Sequence, residues 1–401
     1  MDRHRRRRLE ASPVLPGPAH AAPLDDDDLL LEILLRLPPQ PTSLLRASVV
    51  CKRWRRLVSD PGFLRRFRAH HRKPPLLGFI SLEGYGPLYR FTPTLDPPDR
   101  IPAARFSLTQ RPGECLHLVD CRHGLALFLN KKLPEALVWN PISGEQRRVA
   151  LPPEFDNTVQ GDVRCAAVLC AAGDDDPNHV HGDCDLSSYK LALVRGGQRH
   201  TRVFACLYKS KSALWGNLIS TTTITDRLHN WGRGSVLIRN TLCWMISEEG
   251  DTLQLDSDAQ KLVVIEKPVY RCTGDFSSEI IRTAEGSLGL VVFTELSMLL
   301  WVYSDEVGRW VPQETIELAS HLSPGVPVED IWPLILGYDE DHNVILLRIS
   351  IGLFMIQLDS MRFKEIFGTN FITSYFPYTS YYASDLATSG TDAEPGISRS
   401  T

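Results

Sequence analysis

The sequence predicts an α+β multi-domain chain: a small N-terminal helical module, then an all-β domain read as a β-propeller of about six or seven blades. Three observations predict it. Apolar side chains follow the helix period as far as about residue 68, and short strand-like runs replace them from about Leu77. Strand–turn–strand units then recur at spacings near 50 residues. Charge divides at the same place: residues 1–73 hold 16 Lys and Arg against 8 Asp and Glu, net +8, and the remainder holds 28 against 40, net −12.

The helical stretch runs from Asp25 to Phe67. Leu30, Ile33, Leu34 and Leu37 share one helix face, and Leu29, Leu31 and Leu35 are left off it. Asp25 to Asp28 sit where free N–H groups and the positive dipole end favour carboxylates. Pro38, Pro39 and Pro41 end this helix, because proline has no donor and restricts the residue before it. Thr42 or Ser43 is the expected N-cap of a second helix, with Ala47, Val50, Trp54 and Leu57 on one face and Cys51 beside them. Lys52, Arg53, Arg55 and Arg56 occupy its other face. Asp60-Pro61-Gly62 reads as a turn before a third apolar segment at Phe63, Leu64 and Phe67. So small a module rarely buries enough surface to stand alone, which leaves two readings: a surface completed by a partner, or a cap packed on the following domain.

These residues resemble an F-box in the form common in plants. The matching runs are Leu29 to Pro39, Leu44-Leu45-Arg46, Val49 to Pro61, and Phe63-Leu64; the apolar-Cys-Lys-x-Trp-Arg run followed by Asp-Pro is the most specific part. The match covers about a tenth of the chain. It departs from the family where Asp25-Asp26 stand in place of the usual Leu-Pro. The resemblance implies binding to the Skp-type adaptor of a cullin-RING ubiquitin ligase. The residues it implies for that contact are Leu29, Leu30, Ile33, Leu34, Leu37, Pro38, Leu44, Leu45, Val49, Val50, Cys51, Trp54 and Leu57.

The organisation expected is a disordered Arg/Pro-rich tail over 1–23, the F-box over 24–68, a basic linker over 69–76, the β domain over 77–382 and a polar tail over 383–401. The Arg5–Arg8 tract reads first as a solvated tail, with nuclear import or nucleic-acid contact as the alternative. No apolar run approaches the roughly 18 residues of a membrane helix. The N-terminal MDRHRRRRLE lacks the apolar core of a secretion signal. Nine scattered cysteines fit reduced thiols in cytosol or nucleus. A net −12 body disfavours nucleic-acid wrapping and suits a basic partner better.

In the β region the repeating turns centre on Asn140, Lys209, Asp256, Ser304 and Asp359, spaced 69, 47, 48 and 55 residues apart. Each joins two strands, and a further strand precedes most of them. A first unit near Leu77–Leu95 and a closing strand near Tyr375–Tyr382 complete the expected ring, with a pair of β-sandwiches as the alternative. The turns and the C-terminal FPYTSYY also resemble the associated domain that follows many plant F-boxes. One short helix is expected near Glu314–His321. Trp139, Trp215, Trp244, Trp301 and Trp310 are expected in inter-blade cores.

Cys165, Cys170, His179, His181 and Cys184 are the one cluster with metal-ligand residue types in reach. Their C-x4-C and H-x-H-x2-C spacings match no usual zinc knuckle, so the expectation is no metal and a long solvated loop between strands. That loop, Gly173–Ser188, carries five aspartates and no Lys or Arg; it reads as an insertion, with an acidic recognition edge as the alternative. His123-Gly124 sits at a strand start where a turn needs glycine. The sequence has no P-loop, dinucleotide fingerprint or nucleophile elbow, so no catalytic residue and no cofactor are assigned. The expectation is a non-catalytic adaptor: the F-box docks on the Skp-type adaptor and through it cullin and RING subunits, and the β domain holds a protein substrate whose site the sequence does not locate. A nuclear nucleic-acid-binding regulator using the basic N-terminal segments is the alternative.

Overall fold

A computed structural model describes residues 26–82, 89–155, 163–174, 179–182, 184–196, 202–222, 234–247, 250–269, 276–294, 297–317, 333–349, 352–366 and 375–382. The two tails, the Arg5–Arg8 tract, and Asp175, Asp176 and Asp183 of the acidic loop lie outside the described residues.

Four helices form the N-terminal module: α1 (Asp27–Leu35), α2 (Ser43–Ser48), α3 (Lys52–Val58) and α4 (Pro61–His71). Asp26 caps α1 by accepting from the N–H groups of Asp28 and Leu29. The expected single second helix is two. Cys51 is extended, at φ −162° and ψ 169°, and separates α2 from α3, so Val50 and Trp54 share no helix face. Asp60-Pro61-Gly62 is a helix start, not a turn. Asp60 accepts from Phe63 N, and Pro61 takes the first-turn place where no donor is missed. Because α4 continues to His71 and the first strand begins at Leu76, the linker is shorter than 69–76. Leu30, Leu34, Leu35, Leu44, Ala47, Val58, Phe63 and Phe67 make one small core.

The β domain is a six-bladed propeller. Its closing sheet combines β1 (Leu76–Leu82) and β2 (Tyr89–Pro93) with the last strand of the chain. The next blade is β3 (Leu116–Arg122), β4 (Leu125–Asn130), β5 (Glu135–Trp139) and β6 (Gln146–Ala150). Then come β7 (Val163–Cys170), β8 (Tyr189–Gly196), β9 (Arg202–Lys209), β10 (Leu214–Trp215) and β11 (Ile219–Thr222), with β10 and β11 both paired to β9. The fourth sheet is β12 (Val236–Ile238), β13 (Thr241–Met245), β14 (Thr252–Asp256) and β15 (Lys261–Ile265). The fifth is β16 (Phe276–Arg282), β17 (Leu288–Thr294), β18 (Ser297–Ser304) and β19 (Arg309–Glu317). The sixth is β20 (Leu334–Asp339), β21 (Val344–Ile349), β22 (Gly352–Gln357) and β23 (Arg362–Ile366).

β24 (Tyr375–Thr379) closes the ring by pairing antiparallel with β1, with Phe79 opposite Pro377 and Ile80 opposite Phe376. It adjoins β3 on one side and β20 on the other. The expected turns at Asn140, Lys209, Asp256, Ser304 and Asp359 all follow the third strand of a blade. Asn140 and Asp256 hold theirs by accepting backbone N–H groups two and three residues on. Glu314 to Glu317 are not helical; they belong to β19, paired with β18, and 318–321 lie outside the described residues. Six apolar clusters fill the six gaps between successive blades. Trp139, Trp244 and Trp310 are buried in three of them, and Trp215 and Trp301 pack against two.

Candidate functional site

The helical module divides the residues implied for adaptor contact into two sets. Leu30, Leu34 and Leu44 are buried in its own core, so they hold the module together instead of facing a partner. Leu37, Trp54 and Leu57 are half-buried against the same core. Leu29, Ile33, Leu45, Val49 and Val50 are exposed, with Val49 at 67% and Val50 at 59%, and Pro38 and Cys51 are exposed beside them in sequence. The Cys51 break turns Val49 and Val50 outward, which the continuous-helix reading missed. Leu35, unassigned by helix spacing, is a core residue.

The module is tied to the propeller, as the reading of a cap packed on the following domain expects. The backbone N–H and hydroxyl of Thr42 donate to Asp99 Oδ1, and the Tyr381 hydroxyl donates to the carbonyl of Arg68 on α4. Pro39, Pro41, Leu45, Leu64, Tyr381 and Tyr382 line a small crevice between module and ring.

A second feature sits where the first strands of the blades converge. Arg122 at the end of β3 is paired with Glu340 just after β20, and its Nη2 donates to Ser235 O at 2.6 Å and Oγ at 3.0 Å. Asp120 accepts from Val168 N of β7 at 2.9 Å and from the hydroxyl of Ser235 at 3.3 Å. Glu340 Oε2 accepts from Leu237 N at 2.7 Å. Burial drives the Asp120 carboxyl up against the pull of Arg122, and it pushes Glu340 up to about 7. Side chains from the β3 and β20 ends thus bind each other and the backbone at β7 and β12, so the network staples four blades together. No spacing rule finds it, because its Arg122–Glu340 pair joins residues 218 positions apart.

The third feature lies in the β7–β8 connection. The structure brings Cys170, His179, His181 and Cys184 together, with one ligand-type atom from each inside a group no wider than 4.8 Å. Cys165 is not among them; it is buried between blades. Gly182, Cys184, Leu186 and Ser188 are buried while Gly173, Asp185 and Ser187 are exposed, so the described part of this loop is anchored to the ring and not the fully solvated insertion expected. The hydrogen bond with Cys184 is the main cause holding the Cys170 thiol down to about 4, against burial, which raises it. His123, at φ 55° in the β3–β4 turn, stacks on His181 with ring centroids 3.6 Å apart and accepts from Cys170 N at 3.3 Å.

Comparison with known proteins agrees with this architecture. Residues 27–70 match the family described as F-box-like, and residues 117–376 match the family described as F-box protein AT5G49610-like, beta-propeller. The F-box/kelch-repeat protein At3g61590 of Arabidopsis thaliana is 28% identical over 233 residues, covering 56% of this chain and 52% of that protein. The chain therefore spans about half the length of that relative. The F-box protein At5g49610 of the same plant is 24% identical over 354 residues, covering 85% of this chain and 90% of that protein. Among solved structures, the Dos1 propeller aligns with TM-score 0.37 at 11% identity, covering 66% of this chain and 63% of that one. A chain of the Nidogen/Laminin complex aligns with TM-score 0.43 at 9% identity, covering 75% and 98%.

Proposed function

Since the chain belongs to the F-box protein AT5G49610-like β-propeller family, with an F-box-like domain ahead of the propeller, we propose that it is the substrate-recognition subunit of a Skp–cullin–F-box ubiquitin ligase. The observation that carries the proposal is the exposure of Leu29, Ile33, Val49 and Val50 on a module whose own core is already filled. A partner that covers them gains the burial the chain leaves unused. In this reading the F-box docks on a Skp-type adaptor, which links it to cullin and RING subunits, and the propeller holds a protein substrate. The chain contributes proximity instead of bond-making: it raises the effective concentration of substrate lysines near the charged conjugating enzyme. Cytosol or nucleus is the compartment that fits this role.

The test is adaptor capture by the full chain and by Ile33→Asp with Val50→Asp. Both sites are exposed, so the double variant is expected to keep its helix content and propeller melting transition while adaptor recovery falls at least tenfold. Wild-type recovery of adaptor by a folded double variant would sink the proposal.

A further inference from the structure

The β7–β8 connection leaves β7 at Cys170 and returns to it through His179, His181 and Cys184. The spacing of the donors is informative. His179 Nε2 lies 3.3 Å from Cys170 Sγ and 3.4 Å from Cys184 Sγ, and His181 Nδ1 lies 3.7 Å from Cys184 Sγ. One ring nitrogen thus faces two sulfurs, and one sulfur faces two ring nitrogens. Because all four ligand-type atoms also lie within 4.8 Å of one another, these contacts gather the donors about a common point. With bonds of about 2.3 Å to sulfur and about 2.0–2.1 Å to nitrogen, a tetrahedral zinc ion sets neighbouring S and N ligands about 3.6 Å apart. The three observed distances straddle that value.

We propose that Cys170, His179, His181 and Cys184 bind one zinc(II) ion as a closed structural site. Two thiolates and two imidazoles are a soft donor set that suits zinc, whereas magnesium and calcium require oxygen ligands. Four protein ligands leave no open position, so the ion supplies structure and not catalysis. The surroundings fit ligand support. Ala172 N donates to Cys170 Sγ at 3.4 Å, Asn140 Nδ2 donates to the carbonyl of Cys184 at 3.1 Å, and His123 stacks on His181.

The site also explains why this loop is anchored to the ring. Gly182, between two ligands, accepts from Tyr381 N at 2.8 Å and Ser380 Oγ at 2.6 Å. It fits so closely under the linker that an added Cβ would come 2.6 Å from Pro74. Tyr381 in turn reaches Arg68 on α4. Zinc therefore fastens the loop to the chain leaving β24, where helical module and propeller meet.

The experiment uses the full chain, free of affinity tags and purified under reducing conditions. Metal analysis is expected to find about one zinc per chain. Replacement by cobalt(II) is expected to give the intense visible bands of tetrahedral coordination together with thiolate charge transfer. Cys170→Ser with Cys184→Ser loses both signals, and Cys51→Ser, at an exposed thiol outside the tetrad, keeps them. Chelation is expected to lower Tm and speed amide exchange at Tyr381. A folded wild-type chain that neither carries zinc nor takes up cobalt overturns the proposal. So does a Cys170–Cys184 disulfide in the reduced preparation, or full zinc retention by the double variant. Should the double variant not fold, wild-type stoichiometry and the cobalt spectrum decide alone.

Discussion

Thr42 gives both its backbone N–H and its hydroxyl to Asp99 Oδ1, at 2.9 and 2.7 Å. The residue that sequence reading assigns as a helix cap makes no cap bond in α2; its hydroxyl holds the helical module to the connection after β2. Two bonds to one part-buried carboxylate are worth about 1–3 kcal/mol. Asp99→Ala is therefore expected to loosen α2 on the ring without unfolding the ring. Hydrogen exchange should speed up across Ser43–Ser48 and stay unchanged in β4 and β17. Unaltered exchange in α2 would show that the contact carries no weight.

Leu34 and Val49 separate core from contact surface. Leu34 is 1% exposed and Val49 is 67% exposed. Leu34→Ala is expected to cost about 2–5 kcal/mol of module stability by cavity formation. Val49→Ala should stay within about 0.5 kcal/mol. Denaturant titration followed by helix signal checks both, and similar costs at the two sites would contradict the assignment of Leu34 to the core.

Gly337 marks the seam where the ring closes. A Cβ there would lie 2.3 Å from the carbonyl oxygen of Tyr375, so Gly337→Ala must push β20 from β24. A cooperative loss of several degrees in Tm is expected, roughly the effect of 1–3 kcal/mol of overpacking in a chain of this size. Gly216→Ala, whose Cβ would meet only Leu207 O at 3.4 Å, is the control and should melt near wild type. An unchanged Tm for Gly337→Ala would mean that the β20–β24 seam yields freely.

Glu340 sets a pH dependence. Burial raises its carboxyl to about 7, beyond what Arg122 offsets. A group whose folded pKa lies above its open-chain value holds its proton more tightly when folded. Its contribution to stability is complete below about 4.5 and is lost as pH rises through about 7. Wild-type stability is thus expected to fall between pH 5 and 8, and Glu340→Gln should flatten that fall because it cannot ionise. Equal slopes for the two proteins in chemical denaturation would show that Glu340 does not titrate in this window.

What was legible in the sequence was local. The Asp and Asn turns after third strands report short-range chemistry, the Cys51–Trp54 run carries the family resemblance, and with the stretch near Tyr375–Tyr382 they pointed to a helical module ahead of a ring of blades, with a pair of β-sandwiches as the alternative. The α2–α3 break was not legible, since Ala47, Val50, Trp54 and Leu57 keep helical spacing while Cys51 is extended. The strand identity of Glu314–Glu317 was likewise hidden, because pairing with β18 overrides local preference.

The sequence by itself determined that a helical module precedes a β domain, where the turns after third strands fall, and the strand that closes the ring. All of these follow from periodicity and turn residues, which act between neighbours along the chain. Tertiary structure alone decided that there are six blades, that Leu30 and Leu34 face inward while Val49 and Val50 face out, that Asp120, Arg122 and Glu340 meet, and that Cys170 meets Cys184 with two histidines. These depend on which segments the closed ring brings side by side. Such contacts repay loop-closure entropy only once the ring exists, so no local rule encodes them.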